Sequence, residues 1–328
     1  MNSKQKKLII IVLKLASSVA LLLWVIRKTE ISEVVRALKG ANIYFLVGAF
    51  IIYCASYYLR TYRWQILLKT KGVKASNIYL YQSYMVGIFF SNFLPSIVGG
   101  DLVRVYDVWR LKPNKSISVS TIVVDRILGL LVLIAFASGV LLFTPQVSSV
   151  LKPSYSYLWL LLGIVIIAVV LKKTFSPLRR LSYVLNKIEL PWWQKIKTKI
   201  TNVIEAFISF SNHKFSLIKA LAWSILVQIA VIAHYYLIAK ALNFPTSFAI
   251  FFLVVPIATV IMMLPISING IGLRENAFVF LLGSLSPETV RPDTIAFSWL
   301  AYGIIVFLGL IGGIVHMLRK YRTHAEKI

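Results

Sequence analysis

The chain has 328 residues, of which 59% are hydrophobic, a mean hydropathy of +0.80 and a net charge of +25. A soluble protein needs more polar residues to cover its surface, so this composition excludes a soluble enzyme and predicts an integral membrane protein. The basic residues lie mostly in loops between apolar runs, which indicates contact with anionic lipid headgroups and excludes nucleic acid as the expected partner. The single cysteine, Cys54, lies inside an apolar run and excludes a disulfide framework.

Six apolar runs are long enough to cross a hydrocarbon core of ~30 Å as helices. The first lacks the short apolar core and clear cleavage site of a signal peptide, so we expect it to stay as a membrane span. The runs are Leu8–Ile26, Ile43–Leu59, Ser120–Phe143, Tyr157–Leu171, Leu217–Ala239 and Ile295–Met317. The sequence therefore predicts an all-α polytopic membrane protein with about six full transmembrane helices.

Three further apolar runs are short or interrupted. Ile78–Leu94 stops at Pro95, and Phe248–Leu264 is broken by Pro256 and stops at Pro265. Ala277–Leu285 spans only about 14 Å as a helix, too little to cross the core alone. We predict that these runs form two re-entrant hairpins, each of which leaves the membrane on the side that it entered.

This arrangement places most of the 36 basic residues on one side of the membrane. That side receives both termini and the segments Arg60–Lys74, Arg104–Lys115 and Lys172–Lys219. By the positive-inside rule, we expect a protein of the cell membrane with both termini in the cytoplasm. Within the last segment, a basic amphipathic pattern follows Trp192-Trp193 and predicts a helix that lies at the membrane interface or packs on the protein.

The two interrupted regions resemble each other. Each contains Leu-Pro, a glycine five residues after the proline and an arginine nine residues after it, which are Arg104 and Arg274. The flanking spans recur at a similar offset but run in opposite directions across the membrane. The sequence thus predicts a single domain, 1–328, with an inverted repeat whose halves cover about 43–143 and 217–317. This arrangement is typical of transporters with a central site.

Each interruption also predicts a polar site. Gly99-Gly100 and Asn269-Gly270 permit tight or left-handed turns, after which new helices can begin near Asp101 and near Leu273. The N-terminus of a helix binds anions through its free N–H groups and its dipole. Because the forked donors of Arg104 and Arg274 match phosphate, we expect the two regions to form two halves of one anion site.

Acidic residues at membrane depth are rare in this chain. Placing each charged side chain in the bilayer costs ~2.5–3.5 kcal/mol of free energy. Asp101, Asp125 and Glu275 are therefore site candidates, and Arg126 is expected to line or gate the site together with Asp125. The alternative interpretation is that these acids pair with the arginines and hold the hairpins together. No carboxylate or histidine spacing predicts a metal, a cofactor or a catalytic centre, so we expect no enzyme activity.

These motifs resemble the flippase-like membrane family that includes the transmembrane region of lysylphosphatidylglycerol synthases. The resemblance implies a flippase that moves an anionic phospholipid or a polyprenyl-phosphate-linked precursor between leaflets. We expect a stand-alone membrane domain without the aminoacyl-transferase domain of the synthases. The alternatives are a non-transporting partner of a separate lipid-modifying enzyme or glycosyltransferase, and a membrane-embedded transferase. The residues expected to bind the substrate are Asn92, Pro95, Gly99, Gly100, Asp101, Arg104, Asp125, Arg126, Pro265, Asn269, Gly270, Gly272, Arg274 and Glu275.

Overall fold

A computed structural model describes residues 31–93, 99–143, 208–264, 266–267, 269–289 and 291–319, with isolated residues at 12, 23, 27, 201 and 205. These residues form nine α-helices and one 3₁₀ turn, Ser211–His213. The helices are α1 (Ile31–Gly40), α2 (Ile43–Thr70), α3 (Asn77–Phe93), α4 (Gly99–Leu111), α5 (Lys115–Phe143), α6 (Lys214–Ala241), α7 (Phe248–Met262), α8 (Leu273–Leu285) and α9 (Arg291–Leu318). Outside the described residues lie Pro95, Pro265, nearly all of the predicted span Leu8–Ile26, the predicted span Tyr157–Leu171 and Trp192-Trp193.

Four of the described helices are long and apolar enough to cross a membrane: α2, α5, α6 and α9. Each has 28 or 29 residues, or roughly 42 Å of helix, which exceeds the ~30 Å hydrocarbon core. They contain four of the six predicted spans and confirm the all-α polytopic class. One boundary differs from the prediction. α2 continues to Thr70, so Arg60 and Arg63 belong to the helix and not to a loop.

Three helix ends converge at one end of the bundle. The Lys71 ammonium, just after α2, donates to the Ser209 carbonyl oxygen at 2.6 Å, and the Lys112 ammonium donates to the Lys71 carbonyl oxygen at 2.9 Å. At the end of α9, Arg319 forms an ion pair with Asp107 of α4 at 2.8 Å. We call this region the basic end, because it carries Lys69, Lys71, Lys74, Arg110, Lys112, Lys115, Lys214 and Arg319.

The opposite end of the bundle carries both signs of charge. There the Asn42 N–H donates to the Ala241 carbonyl oxygen at 2.8 Å, which joins the start of α2 to the end of α6. Val34 of α1 packs on Ile295 and Ala296 near the start of α9. The charged residues are Glu33, Arg36, Lys39, Lys240, Glu288, Arg291 and Asp293. The positive-inside rule applied to this difference favours a cytoplasmic basic end, and the orientation stays a prediction.

Helices α3 and α4 form the first hairpin, which returns to the end where it starts. α3 begins a few residues after Lys71, at the basic end, and ends beside the middle of α9, where the Asn92 amide donates to the Ile305 carbonyl oxygen at 3.2 Å. α4 then runs back until Asp107 meets Arg319. The first hairpin therefore enters and leaves at the basic end, as predicted.

Helices α7 and α8 form the second hairpin, which enters from the opposite end. The Thr246 hydroxyl, before α7, donates to the Ser286 hydroxyl, directly after α8, at 2.9 Å. Where the hairpins meet, the Asn269 amide donates to the Asn92 side-chain oxygen at 3.0 Å. The two hairpins are thus opposed. Pro256 does not break the run as predicted, because α7 accommodates it as a buried residue of a continuous helix.

The order of long and short helices recurs along the chain. Helices α2 to α5 have 28, 17, 13 and 29 residues, and α6 to α9 have 28, 15, 13 and 28. The pairing recurs too, since α3 packs on α9 as α7 packs on α5. This order is what an inverted repeat would produce, and the repeat boundaries remain a prediction.

A cross-linking experiment tests the meeting of the hairpins. With Cys54 replaced by serine, we expect Asn92→Cys and Asn269→Cys in one chain to be joined by a short bifunctional methanethiosulfonate reagent. In the control pair, Asn269 is left native and Asn243→Cys is combined with Asn92→Cys. Asn243 follows α6 at the opposite end, so this pair should stay unlinked. Equal cross-linking of both pairs would contradict the opposed arrangement.

Candidate functional site

A cavity of about 360 Å³ lies between the hairpins and the long helices. Its wall combines charged, hydroxyl-bearing and apolar side chains from α2 to α7, with Ile305 from α9 and Asn269 from the turn before α8. Six of the described lining residues are charged: Arg60, Arg63, Arg104, Arg126, Asp101 and Asp125. In the described part of the wall, four arginines therefore face two aspartates, which leaves a positive surplus.

Asp125 of α5 is the centre of a buried hydrogen-bonded network. One carboxylate oxygen accepts from Arg63 Nε of α2 at 2.6 Å. The other accepts from Arg104 Nη2 of α4 at 2.9 Å and from the Tyr84 hydroxyl of α3 at 3.1 Å. The Asp125 side chain is only 2% exposed. A carboxylate removed from water needs such partners, and here they join three other helices to α5.

Two aromatic rings enclose Arg104. Its guanidinium carbon lies 4.2 Å from the ring centre of Trp64 and 4.1 Å from that of Tyr84. Arg104 also contacts Asp101 one turn earlier on α4, at 3.4 Å. The flat, weakly hydrated guanidinium is suited to stacking and ion pairing at once. Its position is thus fixed by four side chains.

The two remaining arginines of the cavity wall are less deeply buried than Arg63 and Arg104. Arg126, which is 39% exposed, forms an ion pair with Asp101. Arg60 of α2 lies over the Tyr57 ring, with 4.8 Å from guanidinium carbon to ring centre. No carboxylate pairs with Arg60 in the part of the chain that the structure describes. Arg60 is therefore the cavity arginine whose charge has no counter-ion among the described residues.

Apolar and tyrosine side chains complete the wall. Leu130 and Leu133 of α5, one helical turn apart, line the cavity together with Asp125 of the same helix. Further apolar lining residues come from α3, α6, α7 and α9, and the tyrosines are Tyr53, Tyr57, Tyr84 and Tyr235. The cavity is amphipathic. It can contact a charged group and an alkyl chain of one ligand.

The structure brings seven of the residues expected to bind substrate to this cavity: Asn92, Gly100, Asp101, Arg104, Asp125, Arg126 and Asn269. Gly99 is buried at the start of α4, and Pro95 and Pro265 lie outside the described residues. Gly270, Gly272, Arg274 and Glu275 are not among the lining residues. Among the described residues of the second half of the expected site, Asn269 is thus the one that lines the cavity.

The glycines of the two regions have different roles, which corrects the expectation of two similar turns. Gly99 and Gly100 are helical, and a side chain on Gly100 would lie 2.6 Å from the Gly87 carbonyl oxygen. Gly100 is therefore needed for close packing of α4 on α3. Gly270 and Gly272 have φ of 76° and 79°, a left-handed conformation that favours glycine, and Asn269 has φ of 50°.

The start of α8 does not form the expected open anion site. The Glu275 carboxylate accepts from the Gly272 N–H at 2.7 Å, so the chain caps its own helix. Arg274 forms no ion pair with Glu275. Its Nη2 donates to the Asn269 carbonyl oxygen at 3.0 Å, and its guanidinium carbon lies 4.4 Å from the Tyr302 ring centre. These contacts support the turn that presents Asn269 to the cavity.

Sequence reasoning did not select Arg60, Arg63 or Tyr84. Arg63 lies on α2 and also donates to the Ser224 hydroxyl of α6 at 3.0 Å. The spacing of Arg60 and Arg63, one turn apart directly after an apolar run, was the available signal. In the described part of the chain, no group of three or more histidine, cysteine or carboxylate side chains could hold a metal ion.

Comparison with known proteins agrees with this architecture. The family model described as the lysylphosphatidylglycerol synthase TM region matches residues 11–320. A UPF0104 membrane protein of Pyrococcus horikoshii is 25% identical over 293 residues, which cover 82% of this chain and 84% of the relative. A UPF0104 membrane protein of Methanocaldococcus jannaschii is 22% identical over 299 residues, covering 87% and 88% of the two chains.

Proposed function

Because the chain belongs to the family of the lysylphosphatidylglycerol synthase TM region, we propose that it translocates an anionic lipid between membrane leaflets. The observation that carries this proposal is the cavity wall with four arginines and two aspartates inside the membrane bundle. The substrate class is a phospholipid or a polyprenyl-phosphate-linked precursor. The proposed location is the cell membrane, with both termini in the cytoplasm.

The depth of the charges supports a ligand site. Asp125 lies ten residues after the start of α5 at the basic end, or about 15 Å into the bundle. Ionisable groups at such depth are expensive, and they commonly face a cavity or a transport path. A purely structural network would need no surplus charge. The surplus here makes the cavity attractive to a phosphate group.

The hairpins provide a route for the transport step. They enter from opposite ends and meet where Asn92 and Asn269 are hydrogen-bonded, next to the cavity. Movement of one hairpin relative to the long helices would open the cavity toward one leaflet, and movement of the other would open it toward the second. Alternating exposure of a central site by two opposed repeats is a general transporter mechanism.

A reconstituted assay tests the proposal. Phosphatidylglycerol with a fluorescent NBD label is placed in both leaflets of liposomes, and the impermeant reductant dithionite is added outside. With wild-type protein, we expect dye from the inner leaflet to become accessible, because the protein moves it outward. Protein-free liposomes should keep that fraction protected. Equal protection with and without the protein would contradict translocation and would favour the non-transporting partner.

A matched pair of substitutions links transport to the cavity. Leu130→Trp adds bulk to the cavity wall, whereas Leu310→Trp adds the same bulk to a side chain of α9 that is 49% exposed. We expect Leu130→Trp to slow the loss of protected dye by about tenfold, equivalent to a barrier about 1.4 kcal/mol higher. Leu310→Trp should transport like wild type. Equal rates in all three proteins would mean that lipid does not pass through this cavity.

A further inference from the structure

We infer that Arg60 is the anion-binding residue of the cavity and that the cavity selects lipids with a phosphate group and no added amine. This inference rests on the proposed function, which it makes more specific. It concerns a residue outside the two repeated regions, and it is argued from the charge balance of the cavity wall.

Three of the four cavity arginines are already engaged by carboxylates. Arg63 and Arg104 both bind Asp125, and Arg126 binds Asp101. Arg63 and Arg104 are almost fully buried, and Arg104 is further enclosed by two aromatic rings. To bind a ligand, these side chains would first have to release an ion pair. That release would leave a buried carboxylate with fewer partners, which is unfavourable.

Arg60 has none of these restraints. It is half-buried, it lines the cavity, and its guanidinium lies over the Tyr57 ring. Its Nε is buried and lacks a hydrogen-bond acceptor in the described structure. The terminal Nη1 and Nη2 groups, which are not enclosed in this way, are the donors that can meet two oxygens of a phosphate. Arg60 is thus the cavity arginine able to bind an anion without breaking an existing ion pair.

The carboxylates of the cavity wall are not available to pair with a cationic headgroup. Asp101 and Asp125 are the acidic residues of the described wall, and both already pair with arginine. An amine added to the headgroup, as in lysylphosphatidylglycerol, would find no free carboxylate and would approach the surplus positive charge. Unpaired charge of this kind is an effective means of rejecting a ligand. Hydroxyl groups of glycerol or a sugar could instead bond to the neighbouring Tyr53 and Tyr57 hydroxyls, which lie 3.4 Å apart.

The test measures lipid binding to the full-length protein in an uncharged detergent. Native mass spectrometry would titrate wild type with phosphatidylglycerol, lysylphosphatidylglycerol and phosphatidylcholine, and thermal unfolding would be followed with inorganic phosphate. We expect phosphatidylglycerol to bind at least about tenfold more tightly than lysylphosphatidylglycerol, because both lipids offer the same phosphate while the added amines meet the surplus positive charge of the wall. Phosphatidylcholine should bind with lower affinity than phosphatidylglycerol, and inorganic phosphate alone should not raise the unfolding temperature.

Substitutions identify the residue. Arg60→Gln should weaken phosphatidylglycerol binding by about tenfold or more, and Arg60→Lys should recover part of the loss by restoring the charge without the fork. Lys69→Gln removes the same charge from an exposed position of α2 at the basic end and should bind like wild type. If Arg60→Gln does not fold, the affinity of Arg60→Lys relative to wild type decides the matter.

The outcomes separate the two proposals. If phosphatidylglycerol binds and is moved, but Arg60→Gln and Arg60→Lys bind it like wild type, the assignment of Arg60 is wrong and the proposed function stands. Equal binding of lysylphosphatidylglycerol would overturn the selectivity alone. If inorganic phosphate stabilises wild type as well as the lipid does, the ligand is a free anion, and the lipid transport proposal fails. The lipid transport proposal also fails if no lipid binds at all.

Discussion

Asp125→Asn is expected to destabilise the folded protein by about 3–5 kcal/mol, the cost of removing one partner from a buried ion pair. Arg63 and Arg104 would both lose their shared carboxylate while staying almost fully buried. Four helices meet at this residue, so we expect the loss to affect the whole bundle. Thermal unfolding in detergent and the amount of protein in the membrane would both report it.

Asp101→Asn provides the matched control. It makes the same chemical change on α4, but the Asp101 side chain is 16% exposed, and one of its partners, Arg126, is 39% exposed. A partly exposed ion pair contributes less than a buried one, so this variant should lose clearly less stability than Asp125→Asn. If Asp125→Asn were as stable as Asp101→Asn, the network around Asp125 would not support the fold.

Gly312→Ala is expected to destabilise the protein by about 3 kcal/mol, at the upper end of the range for overpacking. Gly312 lies where α9 packs on α3, and an added Cβ would overlap the carbonyl oxygen of Met85. A backbone atom cannot rotate away, so the two helices would have to separate. That separation would also move the first hairpin relative to the cavity.

The same helix supplies the control for this prediction. Gly303→Ala meets no heavy atom within 4 Å, and alanine favours a helix by about 0.5–1 kcal/mol over glycine. Its unfolding temperature should therefore equal or exceed that of wild type. If Gly312→Ala had the same unfolding temperature as Gly303→Ala, α9 and α3 would not be in close contact.

The overall plan of the molecule follows from hydropathy, because membrane spans must satisfy length and polarity within each segment. Proline at the end of short apolar runs likewise predicted the hairpins. The extent of α2 did not follow, because the apolar run ends at Leu59 while the helix continues to Thr70. The sequence alone therefore assigned Arg60 and Arg63 to a loop, whereas in the structure Arg63 makes buried contacts with Asp125 of α5 and Ser224 of α6 from a continuous helix.

The groups that the two motif arginines contact could not be predicted from the sequence either. Arg104 and Arg274 occupy equivalent positions in the two repeated motifs, and the sequence implied equivalent roles. Asp125 of α5 supplies a carboxylate to Arg104, whereas α9 presents Tyr302 to Arg274. A local motif sets the position of a residue along its helix, and the neighbouring helices determine which groups its side chain contacts. The predicted halves of the site are thus chemically different.

Photocross-linking tests the central claim, occupation of the cavity by an anionic lipid, most directly. A phosphatidylglycerol analogue with a diazirine close to its headgroup would be irradiated with the reconstituted protein, and the labelled peptides mapped by mass spectrometry. We expect labels on cavity segments that include Tyr57–Arg63 and Gly129–Leu133. Unlabelled phosphatidylglycerol should compete, and phosphatidylcholine should not. Labels confined to exposed residues such as Leu310 and Ile314, without such competition, would contradict the account.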